Sequence, residues 1–225
     1  MIVQIYETQG ASEARALEAV GVDHVGVLVG HGRYARELRP AQARRIFHGI
    51  TRGRRVALSL ADDLEEAIEV VVQAVPDILH LGTVPEGLGP EAVMILKTRF
   101  PDLKIMRTIP VVSEHSLFLA QQYDGLVDYL LLDTYEAEDT QVGATGAPHD
   151  WDLSRRIVTS VHTPVILAGG LGPQNVAEAI RTVRPAGVDS KTHTDKDGGP
   201  CKDIAKVRAF VRIAKSLRLD YGSWP

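Results

Sequence analysis

Short hydrophobic runs alternate with longer amphipathic stretches along the whole chain. Several of the runs are rich in Val, Ile and Leu on both faces, which is typical of strands in a buried parallel sheet. These predicted strands cover residues 2–6, 24–29, 54–60, 77–81, 103–109, 127–133, 164–169 and 186–190. Stretches with helical spacing follow them, over residues 12–20, 40–50, 63–75, 89–100, 113–123, 150–161, 172–183 and 201–218. Eight strand–helix units favour an α/β fold of the closed (β/α)8, or TIM, barrel type.

A doubly wound open sheet is the alternative architecture, but such a sheet more often has about five or six strands. No linker, low-complexity segment or change in composition divides the chain. We therefore expect residues 1–225 to form one barrel domain.

Local signals mark where several helices begin. Asp63 and Ser113 are predicted N-caps, because their side-chain oxygens can accept from the free N–H groups of a first helical turn. Proline is tolerated in that turn, and the sequence has it at Pro40, Pro90 and Pro173.

Composition excludes several classes of protein. The 225 residues carry a net charge of −4, with 44% hydrophobic and 24% charged residues, which argues against disorder, collagen and coiled coil. Lys and Arg are spread along the chain rather than clustered, which argues against a nucleic-acid surface. No apolar run approaches the roughly 18–20 residues of a membrane span, and the first residues do not resemble a signal peptide. With a single cysteine, Cys201, and no internal disulfide, a cytoplasmic protein is expected.

The barrel prediction also says where chemistry is expected. In such barrels catalytic groups stand at the C-terminal ends of the strands, and the loops after strands 7 and 8 often hold phosphate. Polar residues and glycines crowd these positions: Glu7, His31, Arg33, Arg36, His80, Arg107, Asp133, Gly169, Gly170 and residues 189–195. The sequence therefore predicts a polar site at this end of the barrel.

Five motifs in the second half of the chain occur together in a specific order. They are LLLDT (130–134), VGATG followed by HDW (142–151), VILAGGLGPQNVAEAI (165–180), RPAGVDS (184–190) and KDIAKVRAFV (202–211). With these motifs, and with residues 22–46, the chain resembles the phosphoribosylanthranilate isomerase family. The resemblance implies an Amadori-type aldose–ketose isomerisation in tryptophan biosynthesis, a small phosphorylated substrate and no cofactor. The sequence itself, apart from the resemblance, allows a homodimer.

The resemblance assigns the acid and base of the reaction to two strand ends. Asp133 matches the family's general acid at the end of strand 6. The family's general base, a cysteine ending strand 1, is missing: Tyr6 stands in its place and Glu7 stands where the family has glycine. A carboxylate reaches about as far as a thiolate and its pKa responds to burial, so Glu7 is the expected replacement base.

The resemblance also implies residues that bind the substrate. Gly169 and Gly170 match the family's phosphate loop after strand 7. The glycine of the family's loop after strand 8 is absent, and Lys191 and His193 have appeared there. The complete set expected to bind substrate or phosphate is Arg36, His80, Gly146, Gly169, Gly170, Asp189, Ser190, Lys191 and His193.

Other functions stay open at this point. The changes in strand 1 and in the strand-8 loop also fit a relative redirected to another phosphorylated or carboxylated small molecule, by isomerase, epimerase or lyase chemistry. A metal could assist such chemistry, since carboxylates and imidazoles at the mouth suit Zn²⁺ or Mn²⁺, although no tight metal motif supports this. A non-catalytic ligand-binding barrel is the third hypothesis. The basic residues of the last helical stretch are expected on a solvated outer face: Lys202, Lys206, Arg208, Arg212, Lys215 and Arg218.

Overall fold

The computed structural model describes residues 1–84, 87–134 and 150–217, and strands and helices alternate throughout them. The strands are β1 (Ile2–Ile5), β2 (His24–Leu28), β3 (Arg54–Ser59), β4 (Ile78–Leu81), β5 (Lys104–Pro110), β6 (Tyr129–Asp133), β7 (Val165–Leu167) and β8 (Gly187–Ser190). The helices are α1 (Ala11–Ala19), α2 (Pro40–Phe47), α3 (Leu64–Ala74), α4 (Pro90–Arg99), α5 (His115–Tyr123), α6 (Trp151–Ser160), α7 (Val176–Val183) and α8 (Ile204–Ser216). A short 3₁₀ helix covers Thr192–Thr194.

The strands form one closed parallel barrel in sequence order. Closure is made by β1, which pairs with β2 on one side, where Gln4 lies opposite His24, and with β8 on the other, where Ile5 lies opposite Ser190. An open sheet would leave two strand edges unpaired, so this pairing confirms the barrel and excludes the doubly wound alternative.

Side chains of the barrel strands alternate between two cores. One set packs outward against the helices, as Val3 and Ile5 do. The other set fills the barrel interior and includes Tyr6, Val56 and Met106. The interior is not wholly apolar, since Gln4, His24 and His80 are also buried there. None of the helices described in the structure is long and apolar enough to cross a membrane.

The helix starts agree with the local signals at three of the five positions. Asp63 Oδ1 accepts from Glu66 N at 2.9 Å, and Pro40 and Pro90 are the first residues of α2 and α4. The prediction for Ser113 is wrong, because α5 begins at His115; the Ser113 hydroxyl accepts from the His115 N–H at 3.3 Å without being the N-cap.

Pro173 lies before a helix rather than in its first turn. The preceding turn is held by Asn175, whose amide oxygen accepts from Gly172 N at 2.8 Å and whose amide nitrogen donates to the Gly170 carbonyl at 2.9 Å. These two bonds keep the chain in a turn through Pro173, so α7 begins only at Val176.

One glycine of β2 makes room for an aromatic ring of the neighbouring strand. A Cβ atom at Gly26 would lie 2.1 Å from Cδ1 and 2.3 Å from Cε1 of Tyr6. Any side chain at position 26 would therefore overlap the ring, which is itself buried. Gly26 is thus a packing requirement of Tyr6.

We expect Gly26→Ala to lower the free energy of unfolding by about 1–3 kcal/mol, the usual cost of overpacking a core. Introduced beside Tyr6→Ala, the same substitution should cost much less, because the methyl group then enters the space that the ring has left. Urea denaturation of the two single variants and the double variant measures this coupling. Equal losses in the two backgrounds would show that the ring does not set the requirement.

Candidate active site

A cleft opens at the C-terminal ends of the strands. Its lining among the described residues is Tyr6, Glu7, Leu28, Leu58, Leu60, His80, Gly82, Thr108, Leu131, Asp133, Gly169, Gly170, Leu171, Asp189, Ser190, Lys191, Thr192 and His193. Leucines form one part of this wall, while ionisable side chains and hydroxyl groups form the other. The cleft therefore combines a partly apolar surface with groups that can carry protons and bind anions.

The structure brings most of the predicted site residues together in this cleft. The residues that line it are Glu7, His80, Asp133, Gly169, Gly170, Asp189, Ser190, Lys191 and His193. Arg36 lies beside them and contacts Glu7. Gly146 falls outside the described residues.

Two carboxyl groups face the cleft from β6 and β8: Asp133, which is half-buried, and Asp189, which is buried. Burial raises the pKa of Asp133 to about 6, although the Thr134 N–H donates to its Oδ1 at 2.8 Å. Burial, and then the charge of Asp133, raises the pKa of Asp189 to about 8. Within the described part of the chain, Asp189 Oδ1 is buried without a hydrogen-bond partner. The two carboxyls repel as anions and titrate as a pair, so the pair retains a proton near neutral pH.

Glu7 lies just beyond β1 and holds two cations. Its Oε1 lies 2.5 Å from Lys191 Nζ, and its Oε2 lies 3.2 Å from a guanidinium nitrogen of Arg36. Both Glu7 and Arg36 have left-handed backbone conformations, with φ of 60° and 64°. Such conformations are uncommon for residues other than glycine. The left-handed φ at Glu7 matches the position where the family has glycine.

A second acidic residue, Asp195, contacts Arg36 and a further cation, Lys202. Its Oδ2 lies 2.8 Å from Arg36, and its Oδ1 lies 2.5 Å from Nζ of Lys202, whose side chain is fully buried. Lys202 also donates to the Lys191 carbonyl at 3.0 Å. The prediction that Lys202 lies on a solvated helix face is therefore wrong.

Asp195 and Lys202 are the structural supports that sequence reasoning missed. The segment between them contains Gly198, Gly199 and Pro200, which is typical of a turn. That turn brings the two residues into an antiparallel bridge. Opposite charges on the two sides of this Gly-Gly-Pro segment were the available signal for this ion pair.

The loops after β7 and β8 are joined by a side-chain hydrogen bond. The Ser190 hydroxyl donates to the Leu171 carbonyl at 2.6 Å. Gly169 and Gly170 have φ of 79° and 62°, a region that side chains disfavour. The backbone here thus approaches the cleft without side chains, as an anion-binding loop does. His193 lies nearby, 3.4 Å from the Gln174 amide nitrogen.

Hydrogen bonds also connect three uncharged groups at the floor of the cleft. The Tyr6 hydroxyl lies 2.5 Å from His80 Nδ1, and His80 Nε2 lies 2.6 Å from Thr108 Oγ1. Burial, and then the charge of Arg107, lowers the pKa of His80 to about 3, so its imidazole is neutral. His80 is thus a hydrogen-bonded interior histidine that also lines the cleft.

No group of three or more His, Cys, Asp or Glu side chains within residues 1–84, 87–134 and 150–217 has the arrangement of a metal site. Two of the side chains proposed as metal ligands, Glu7 and His80, line the cleft but interact with other partners. Glu7 pairs with cations and His80 bonds to two hydroxyls.

The closed barrel and its paired carboxyls define a (β/α)8-barrel enzyme whose site is equipped for acid–base chemistry. Residues 37–213 match the family model described as N-(5'phosphoribosyl)anthranilate (PRA) isomerase, and the chain belongs to this family.

Relatives and solved structures agree with the family assignment. The chain is 35% identical over 223 residues to the N-(5'-phosphoribosyl)anthranilate isomerase of Haloferax volcanii, covering 96% of this chain and 94% of the relative. It is 52% identical over 169 residues to that of Methanosarcina acetivorans, covering 69% and 68%. The structure of the Pyrococcus furiosus isomerase superposes with a TM-score of 0.78 at 26% identity, covering 96% of this chain and all (100%) of that one.

The raised pKa of Asp189 predicts a pH-dependent stability. Between about pH 4, near the pKa of an unfolded aspartate, and about pH 8 the folded protein holds a proton that the unfolded chain releases. The free energy of unfolding therefore decreases as pH rises through this range. In Asp189→Asn this contribution is absent, so the variant should gain stability relative to wild type as pH rises.

Urea denaturation at several pH values from 4 to 8 measures this difference, with Asp102→Asn at an exposed position as the matched control. A stability difference between Asp189→Asn and wild type that does not change with pH would contradict the prediction.

Proposed function

We propose that the protein catalyses the isomerisation of N-(5'-phosphoribosyl)anthranilate, with Asp133 as general acid and Glu7 as general base. The observation that carries the assignment is that these two groups stand on β6 and just beyond β1, and line one cleft. A sugar between them would meet an acid on one side and a carboxylate on the other. The raised pKa of Asp133 supports its role, since it increases the fraction of this acid that holds its proton near neutral pH.

The reaction then needs two proton transfers by these residues. Protonated Asp133 gives its proton to the furanose ring oxygen, the C1–O bond breaks, and the nitrogen electron pair forms a C=N bond. The Glu7 carboxylate next takes the proton from C2, and the electrons of that C–H bond form C1=C2 while the C=N pair returns to nitrogen. The resulting enolamine tautomerises to the aminoketose product.

The cations beside Glu7 support a role for this site in binding anions. Lys191 and Arg36 both contact the Glu7 carboxylate, and together they carry more positive charge than that one carboxylate offsets. An anionic substrate can therefore bind to these cations beside Glu7. We assign the phosphate to the loops after β7 and β8, where Gly169, Gly170, Lys191 and His193 line the cleft.

We further propose that the protein acts in the cytoplasm, in tryptophan biosynthesis, as a single barrel domain. A homodimer is also proposed, since a solved relative from Thermotoga maritima, 25% identical, is described as dimeric. Light scattering of the purified protein tests the dimer, and a monomer mass would reject it.

Asp133→Asn should abolish turnover, because an amide is too weak an acid to protonate the ring oxygen. Glu7→Gln should lower kcat/KM on the order of 10²-fold or more, the usual contribution of a general base. In the wild type, kcat/KM should fall as pH rises through about 6, where Asp133 loses its proton. Loss of the fluorescence of the anthranilate substrate measures turnover.

Asp102→Asn and Glu114→Gln make the same chemical changes at exposed positions and should leave turnover unchanged. Unchanged turnover in Glu7→Gln would remove Glu7 from the role of base. No turnover by the wild type would reject the proposed substrate and return attention to other phosphorylated or carboxylated small molecules.

The phosphate assignment is tested with inorganic phosphate as a competitive inhibitor. Lys191→Met removes a cation at the cleft, so we expect its inhibition constant for phosphate to rise about tenfold, the loss of one charged hydrogen bond. Lys196→Met, at an exposed position five residues along the loop, is the control and should keep the wild-type constant. Equal inhibition constants in both variants would place the phosphate elsewhere.

A further inference from the structure

The floor of the cleft contains a hydrogen-bonded chain to which the proposed mechanism assigns no role. It runs from the Tyr6 hydroxyl through both nitrogens of His80 to the Thr108 hydroxyl, over contacts of 2.5 and 2.6 Å. All three side chains line the cleft, yet each is at most 4% exposed. Buried polar groups that face a cleft are costly unless they are hydrogen-bonded. The hydrogen bonds among these three side chains therefore stabilise a polar surface at the floor of the cleft.

The position of Tyr6 within this chain is set by its surroundings. Gly26 leaves the space that its ring fills, and the ring centroid lies 5.5 Å from that of His80. The hydroxyl therefore has one rigid location at the end of a packed ring. A group placed in this way is preorganised to bind a ligand.

The number of protons on the three side chains determines which hydrogen-bond donors and acceptors they offer to a ligand. A neutral imidazole has one N–H and one unprotonated nitrogen. One of the two hydroxyls must therefore donate to His80, while the other accepts from it and keeps its own hydrogen for a further partner. Exchange of the imidazole tautomer interchanges Tyr6 and Thr108 in these roles. Among the described residues, the floor thus presents one hydroxyl donor that is not used within the chain of hydrogen bonds, together with further oxygen lone pairs, and its three groups are uncharged.

The three groups of this floor carry no charge themselves, although the charges of Arg107, Asp133 and Asp189 act on them. The cations Arg36 and Lys191 lie around Glu7, and the carboxyls of Asp133 and Asp189 stand on β6 and β8. A phosphate or carboxylate is attracted to the cations. An uncharged hydroxyl group, which both donates and accepts, is the matching partner for the hydroxyls of the floor.

We propose that Tyr6, His80 and Thr108 form a subsite for the hydroxyl groups of a sugar chain, and that Tyr6 and Thr108 are specificity-determining residues of the cleft. This assignment rests on the phosphorylated sugar of the proposed function, but it does not depend on the rearrangement of that sugar. In this proposal the floor selects ligands with a hydroxylated carbon chain, while Asp133 and Glu7 carry out the acid–base steps.

Two phosphate esters of the same chain length test the subsite by equilibrium binding. Ribitol 5-phosphate carries hydroxyls on four of its five carbons, whereas n-pentyl phosphate carries none, and neither undergoes the isomerisation. We expect the wild type to prefer ribitol 5-phosphate. Tyr6→Phe and Thr108→Val should each lower that preference by about 3- to 10-fold, the net effect of one hydrogen bond, with the affinity for n-pentyl phosphate nearly unchanged.

The matched control is Tyr129→Phe, the same change on an inner-core residue whose side chain contacts His24 near the starts of β1 and β2. It should leave the preference for ribitol 5-phosphate at the wild-type value. Equal weakening of both esters in Tyr6→Phe would assign Tyr6 a structural role only and overturn the subsite. An unchanged preference in Tyr6→Phe and Thr108→Val would overturn it as well.

Turnover of phosphoribosylanthranilate, measured on the same wild-type sample, separates this proposal from the proposed function. Absence of turnover together with the expected loss of preference would reject the substrate while supporting the subsite. Normal turnover together with an unchanged preference in both variants would reject the subsite alone.

Discussion

Burial of charged groups at the mouth of the barrel is the constraint on which the rest of the site depends. A charged group that is removed from water needs a nearby opposite charge. Without one, its pKa shifts so that the group becomes neutral. Asp195 and Glu7 meet the first condition, since each contacts two basic side chains. Asp133 and Asp189, which have no ion pair in the described part of the chain, meet the second, and their pKa values rise. The same constraint therefore produces fixed ion pairs at the rim and exchangeable protons inside the cleft.

The barrel and the location of the site could be predicted from the sequence, because both depend on patterns that are local in the chain. Alternating hydrophobic periods define strands and helices, and the strand ends define the mouth, so Asp133 and Asp189 are found where expected. Lys202 shows where such reasoning fails. A lysine between a turn and a basic helix has the same local pattern whether it is solvated or buried, and only its contact with Asp195 decides the outcome.

Contacts between segments that are distant in the sequence account for the other features of the site that the sequence did not predict. Tyr6 and His80 are 74 positions apart, and His80 and Thr108 are 28 apart, so no periodicity connects them. The family resemblance directs attention to position 6 for the absence of a cysteine, whereas the structure shows what the tyrosine contacts. A residue that departs from a family pattern is thus best interpreted with its new neighbours, which here are an imidazole and a glycine.

The overlap between Gly26 and Tyr6 also restricts the order in which an ancestral sequence could have acquired this floor. Tyrosine at position 6 is accommodated only when position 26 already lacks a side chain. Of the two orders of substitution, the one that places glycine at position 26 first avoids the overlap, because glycine is compatible with a smaller residue at position 6. With the ring in place, replacing the glycine is costly, so the residue at position 6 limits the choice at position 26. Replacing Tyr6 by the family's cysteine would remove this limit, because the ring that requires the glycine would be gone.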